Sequence, residues 1–219
     1  MKIFSLIKPS YARVFSQYKI RADFAAVEGV DDFCDMIVEG EWQTQSCTIK
    51  GQTHSVALIP PLRIDLGSHC NQMAEVTWSY AGYDFIWSES ARRKAKLAME
   101  LFDAREVRTV ERPEFANDQL ISEFEASQFQ WLVPRKSIRI DAEANRLKKE
   151  IECRSCDLFR YEFKVSNLRF PLEFIDRFDI FGTSAWPLVG ITYATEEAAA
   201  YLSDANIDNL GFLEAGVAV

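Results

Sequence analysis

The stretch that most constrains this chain is residues 188–214, which reads as a strand, a capped helix and a second strand in succession. Leu188-Val-Gly-Ile-Thr-Tyr193 is a short β-rich run suited to a central strand. Thr195 then stands where a helix N-cap belongs. Glu196 and Glu197 follow in the first turn, where the helix dipole favours carboxylates, and Ala198-Ala-Ala-Tyr201-Leu202 supplies the helix body. The helix is predicted to stop near Asp204-Ala-Asn206, and Asn209-Leu-Gly-Phe-Leu-Glu214 reads as a last strand. Together with the other strand patterns along the chain, this predicts an α+β fold. It would have a mixed, mainly antiparallel sheet, a few flanking helices and a strand-helix-strand ending.

Composition sets the outer limits. The 219 residues are 48% hydrophobic and 26% charged, enough for a substantial core without covalent help. The chain is expected to form a single domain over residues 1–219, with a candidate subdomain boundary near 103–117, where a charged stretch runs into Pro113. A balance of 33 acidic against 25 basic side chains gives a net charge of -8. That mean field opposes direct binding to nucleic acid or to an anionic membrane and attracts a basic protein. Five cysteines, an odd number, do not form the framework of a secreted disulfide scaffold. Met1-Lys-Ile-Phe-Ser-Leu-Ile-Lys8 has too short an apolar run for a signal peptide and reads as a first strand, and no run approaches the ~18 residues of a membrane span. A reducing cytoplasm is the expected compartment.

Before the closing segment, the pattern over residues 42–59 is a hairpin. Cys47-Thr-Ile49 and Ser55-Val-Ala-Leu-Ile59 lie on either side of Lys50-Gly51-Gln52-Thr53, and Pro60-Pro61 ends it. The aromatic run Val76-Thr-Trp78-Ser-Tyr80-Ala-Gly82-Tyr83-Asp-Phe85-Ile-Trp87 reads as a buried or half-buried strand pair turned by Ala81-Gly82 rather than an exposed binding patch. Ser88 or Ser90 is placed to cap a helix of three to four turns running through Ala91-Arg-Arg-Lys-Ala-Lys96, with Leu97, Met99 and Leu101 as its apolar stripe. Asp118 or Ser122 starts a second helix, expected to run through Phe124, Phe129 and Leu132 until Pro134 stops it. Ser137-Ile-Arg-Ile-Asp141 alternates like a strand.

Two groups of residues carry candidate chemistry. Asp31, Asp32, Asp35, Glu39 and Glu41 form a cluster of one sign, a candidate face for a basic partner with a solvated loop as the plainer reading. Cys153-Arg-Ser-Cys156 sits between two strand patterns and would set two sulfurs on one knuckle, the half-site of a tetrahedral zinc centre. A full centre needs four ligands. Cys34, Cys47 or Cys70 with His69 would have to complete it without diagnostic spacing, so the adopted reading is a turn with two free thiols and no bound cofactor. With only His54 and His69, acid-base or thiol chemistry has few carriers, and Ser68-His69 makes no nucleophile elbow. A small thiol-dependent or hydrolytic enzyme and a zinc-stabilised adaptor remain as alternatives.

Several of these segments resemble the double-CxxCG-motif family, some of whose members are immunity proteins against polymorphic or contact-exchanged bacterial toxins. The resemblance lies in the strand Met1-Lys-Ile-Phe-Ser-Leu-Ile7, the knuckle Cys153-Arg-Ser-Cys156 and Asp179-Ile-Phe181 followed by Trp186. It continues in the helix start Ala194-Thr195-Glu196 and in Leu210-Gly-Phe-Leu-Glu214. The family's first CxxCG is missing after Val30, where only Cys34 stands, and Asp157 replaces the glycine of the second. The resemblance implies a cytoplasmic inhibitor, not an enzyme, bound to the toxic domain of a partner. Charge suggests that this partner is basic and acts on nucleic acid.

Overall fold

The computed structural model describes residues 1–9, 35–38, 42–46, 53–58, 61–65, 73–79, 85–109, 118–153, 158–161, 166–183 and 191–219. The first strands are β1 (Lys2–Ile7), β2 (Asp35–Val38), β3 (Trp42–Ser46), β4 (Thr53–Leu58), β5 (Leu62–Asp65), β6 (Val76–Ser79) and β7 (Phe85–Trp87). Helix α1 (Glu89–Lys94) leads to β8 (Phe102–Arg105) and β9 (Val107–Thr109), and α2 (Asp118–Ser127) to β10 (Gln130–Pro134) and β11 (Lys136–Ile138). Then come β12 (Lys149–Cys153), β13 (Leu158–Tyr161), β14 (Leu168–Phe170), β15 (Ile180–Thr183), β16 (Tyr193–Thr195), α3 (Glu196–Asp204) and β17 (Gly211–Ala218). The pairings are mixed and mainly antiparallel, so the α+β class expected from the patterns holds.

Two sheets carry the fold. A seven-stranded sheet runs β8-β10-β7-β6-β2-β5-β9. Its two outer members are separated in the chain by Glu106 alone, whose carbonyl accepts from the Leu62 N–H at 3.0 Å. One bent segment therefore pairs with β10 through its first half and with β5 through its second, closing the sheet on itself and leaving no exposed edge there. Ile86, Trp131, Leu62 and Ile64 gather on one side with Phe124 and Phe129, whose rings stack at 5.5 Å. A six-stranded sheet runs β11-β15-β16-β1-β17-β14, and its interior face holds Ile3, Phe170, Phe181 and Tyr193. The chain passes from one sheet to the other at Arg135, between β10 and β11.

The sheets share a core. Leu6, Ile180, Ala194 and Leu202 from the six-stranded side pack with Val76, Trp78, Phe85, Trp87 and Leu132 from the other. Trp78 lies 4.8 Å from Phe85, and its indole N–H donates to the Asn209 carbonyl at 2.7 Å. Two separate ribbons, β3-β4 and β12-β13, complete the described strands.

Several sequence expectations hold. β1 spans residues 2–7, and Thr195 caps α3 by accepting from the Ala198 N–H. β3 and β4 pair antiparallel within the expected 42–59 hairpin, although its arm at 47–49 lies outside the described residues and Thr53 belongs to β4 rather than to the turn. The two ends of the aromatic run are the antiparallel pair β6-β7, with Trp78, Phe85, Ile86 and Trp87 all buried, while residues 80–84 lie outside the described set. Others need correction. The helix expected over residues 91–102 ends at Lys94, and a 3-10 turn at Ala98–Leu101 delivers Phe102 into β8. Its buried stripe is Ala91, Ala95 and Ala98, while Leu97 is 51% exposed. Small side chains let the helix backbone approach the aromatic sheet, and pairing with β10 outweighs helix propagation.

The second helix begins at Asp118 but stops at Ser127, where Gln128 turns into the left-handed region at φ 48. Phe129 and Leu132 are not helical, because Trp131 pairs with both β7 and β8. The run expected as a strand over 188–193 becomes one only at Tyr193–Thr195, where β1 and β15 supply partners on both sides; residues 188–190 lie outside the described set. β17 extends to Ala218, beyond the Glu214 expected, because it is paired by β1 and β14.

Candidate functional site

The acidic face expected from Asp31, Asp32, Asp35, Glu39 and Glu41 falls largely outside the described residues. Only Asp35 is placed, opening β2 opposite Trp78. Cys34 and residues 154–157 with Cys156 also lie outside, whereas Cys153 closes β12 opposite Leu158. Asp35 and Cys153 belong to different sheets. Among the described residues no group of three or more His, Cys, Asp or Glu side chains is arranged to hold a metal ion. His54 lies in β4 opposite Gln45; Ser68, His69 and Cys70 lie outside.

The structure does gather other segments singled out in the sequence. β1, β15, β16 and β17 are consecutive neighbours in the six-stranded sheet, although they span the chain from Lys2 to Ala218. Asp179 is their joint. Its N–H donates to Thr195 Oγ1 at 3.1 Å, and its carbonyl accepts from the Thr195 N–H at 3.0 Å, so the acid before β15 is bonded to the residue that caps α3. The Asp179 carboxylate, buried, accepts from Lys136 Nζ and from the Asp176 N–H at 3.2 Å. Lys136 also reaches Asp176 Oδ2 at 3.0 Å. Burial alone would lower the Lys136 ammonium pKa, but the hydrogen bonds to Asp179 and Asp176 outweigh it and hold the pKa above its ordinary value. These charges brace a turn. Behind them Tyr193 stacks on Phe181 at 5.8 Å, and burial pushes its hydroxyl well above the usual range, so it stays neutral.

A second polar cluster lies beside a cleft of about 520 Å³ lined by Met73, Ser88, Arg93, Ala126 and Phe129 among others. Glu75 accepts from Ser90 Oγ at 2.6 Å, from Lys94 Nζ at 2.7 Å and from the Asp208 N–H at 3.1 Å. Desolvation raises the Glu75 pKa, but these three donors hold it below the ordinary carboxylate value. Lys94 also donates to the Asn206 carbonyl at 3.1 Å, and Arg93 pairs with Glu89. Each named charge is spent on a neighbour, so the cluster ties the closed sheet to the 206–209 turn.

The outer edge of the six-stranded sheet is shielded by Asn145. Its side-chain amide donates to the Arg169 carbonyl at 2.9 Å and accepts from the Arg169 N–H at 2.6 Å, the two bonds a further strand would make. Immediately after this edge, Pro171 leads into a 3-10 turn at Leu172–Phe174. Leu172 is 47% and Phe174 60% exposed, whereas Ile175 is buried. The sequence reading passed over this turn. Its signal is Pro171 followed by the mixed apolar and acidic run Leu172-Glu-Phe-Ile-Asp176, which resembles an ordinary strand end until the neighbouring strands are in place.

Among the described residues no helix is long and apolar enough to cross a membrane. A comparison of the sequence with models of known protein families found no matching family, and a comparison with curated proteins found no match.

Proposed function

We propose that this protein is an inhibitor that acts by contact, an immunity protein that occupies the surface of a basic toxin domain and performs no chemistry of its own. The observation that carries the reading is the coupling of Asp179 to Thr195. Two pieces of the resemblance 16 residues apart in the chain meet through backbone and side-chain hydrogen bonds, in a sheet whose other strands carry further pieces. The net charge of -8 adds to it, since an acidic inhibitor is drawn to a cationic domain before contact. The ties around Glu75 and Asp179 also fit a rigid binding body, because their acid-base groups are committed to holding elements together.

The test is co-expression with the product of a neighbouring gene that encodes a candidate toxin domain. The expected result is a complex that survives purification and cells that survive the toxin. Separate elution of the two proteins, with no protection, would sink the reading.

A further inference from the structure

We infer that the turn at residues 171–176 is a docking knob, with Phe174 and Leu172 as apolar anchors for an apolar pocket on a cationic protein surface. This rests on the inhibitor reading above and assigns the surface that such a role would use. Both side chains are large, apolar and open to solvent, although they lie only two residues apart on a fixed scaffold. The scaffold is rigid for identifiable reasons. The Leu172 N–H donates to the Val219 carbonyl at 3.1 Å, the Phe174 N–H to Pro171 at 3.2 Å and the Ile175 N–H to Leu172 at 3.1 Å. Buried Ile175 pins the turn from beneath, and the Asp176 N–H is held by the Asp179 carboxylate. An aromatic side chain presented with little backbone freedom loses little entropy on binding, the property of an interface anchor.

Charge selects the occupant. Residues 171–176 contain two carboxylates, Glu173 and Asp176, and no base; the Asp176 side chain is 83% exposed. Two nearby cations are paired, Lys136 with Asp176 and Asp179 and Arg177 with Glu197 at 2.5 Å, while Arg169 is exposed on the strand before the turn. A second copy of the chain would bring like charge against like charge around the same apolar pair, in a molecule already at -8. A basic surface with an apolar pocket meets both requirements.

Binding of purified protein to the inactivated candidate toxin domain identified by the co-expression above tests this. Phe174→Ser with Leu172→Ser should weaken the complex by about tenfold or more. Leu97→Ser, which removes an exposed leucine outside the turn, should change Kd by less than about twofold. Glu173→Lys, which disturbs no buried group, should slow association at low salt and converge with wild type at high salt. Circular dichroism verifies that each variant is folded. Undiminished binding by the double variant overturns the docking assignment while leaving the inhibitor reading intact. Failure of the wild-type chain to bind overturns both. A wild-type dimer that becomes monomeric in Phe174→Ser would show that the knob meets its own copy, and overturns the basic occupant.

Discussion

Single residues here act mostly as ties between distant segments. Glu75 gathers donors from residues 90, 94 and 208, so its carboxylate holds α1 and the 206–209 turn to the closed sheet. Its pKa is lowered from 4.5, so the unfolded chain takes up a proton at higher pH than the folded one. The stabilisation is therefore fully present above the ordinary carboxylate range and is lost as pH falls through the lowered value. Glu75→Gln should cost about 1 kcal/mol at neutral pH, and the gap to wild type should close in acid. Urea midpoints of both proteins at pH 7 and pH 3 measure this; an equal gap at both would contradict it. Thr195 was legible in the sequence because a cap is a local device. Glu75 was not, since its partners are set by tertiary approach.

At the scale of elements, pairing overrides local preference wherever the two compete. In β17 the buried positions alternate through Leu213 and Ala215, then shift phase, so that Gly216 is buried too. Ala215 is the extra residue of a bulge: β1 pairs Ile3 with Gly216 and Phe4 with Glu214. The bulge turns the Gly216 Cα toward β14, and a Cβ there would lie 2.6 Å from the Leu168 backbone nitrogen. Only glycine lets the parallel pair β14-β17 close. Gly216→Ala should cost about 2–3 kcal/mol and free the outer strand, seen as a lower Tm and faster hydrogen exchange at Leu168 to Phe170. An unchanged Tm would show that the bulge relaxes. The broken helix after Lys94 follows the same logic: residues 91–102 have helical propensity, yet Phe102 gains more from β10 than from another helical turn.

For the whole molecule, the decisive feature is that two sheets own one core. Leu6, in the middle strand β1, packs into the cluster that also holds Trp78 and Trp87. Leu6→Ala should cost about 2–4 kcal/mol, and hydrogen exchange should accelerate in β7 and β16 together, within a single unfolding transition. Acceleration confined to the six-stranded sheet would mean that the sheets unfold separately. The closing of the seven-stranded sheet belongs to the same scale, because residues 102–109, which overlap the candidate boundary marked in the sequence over 103–117, supply both strands that close it.

By itself the sequence determined what depends on neighbours in the chain: the α+β class, the cap at Thr195, the aromatic strand pair, the strands on either side of residues 154–157 and the acidic charge. These follow from periodicity, capping and composition, which act over a few residues or over the chain as a sum. Only the tertiary structure decided that alanines rather than leucines line the first helix, that one bent strand closes a sheet, and that Asn145 covers an edge. It alone also left Phe174 and Leu172 facing water. Burial and strand pairing are settled between segments far apart in the chain, where a pattern read along the sequence has no reach.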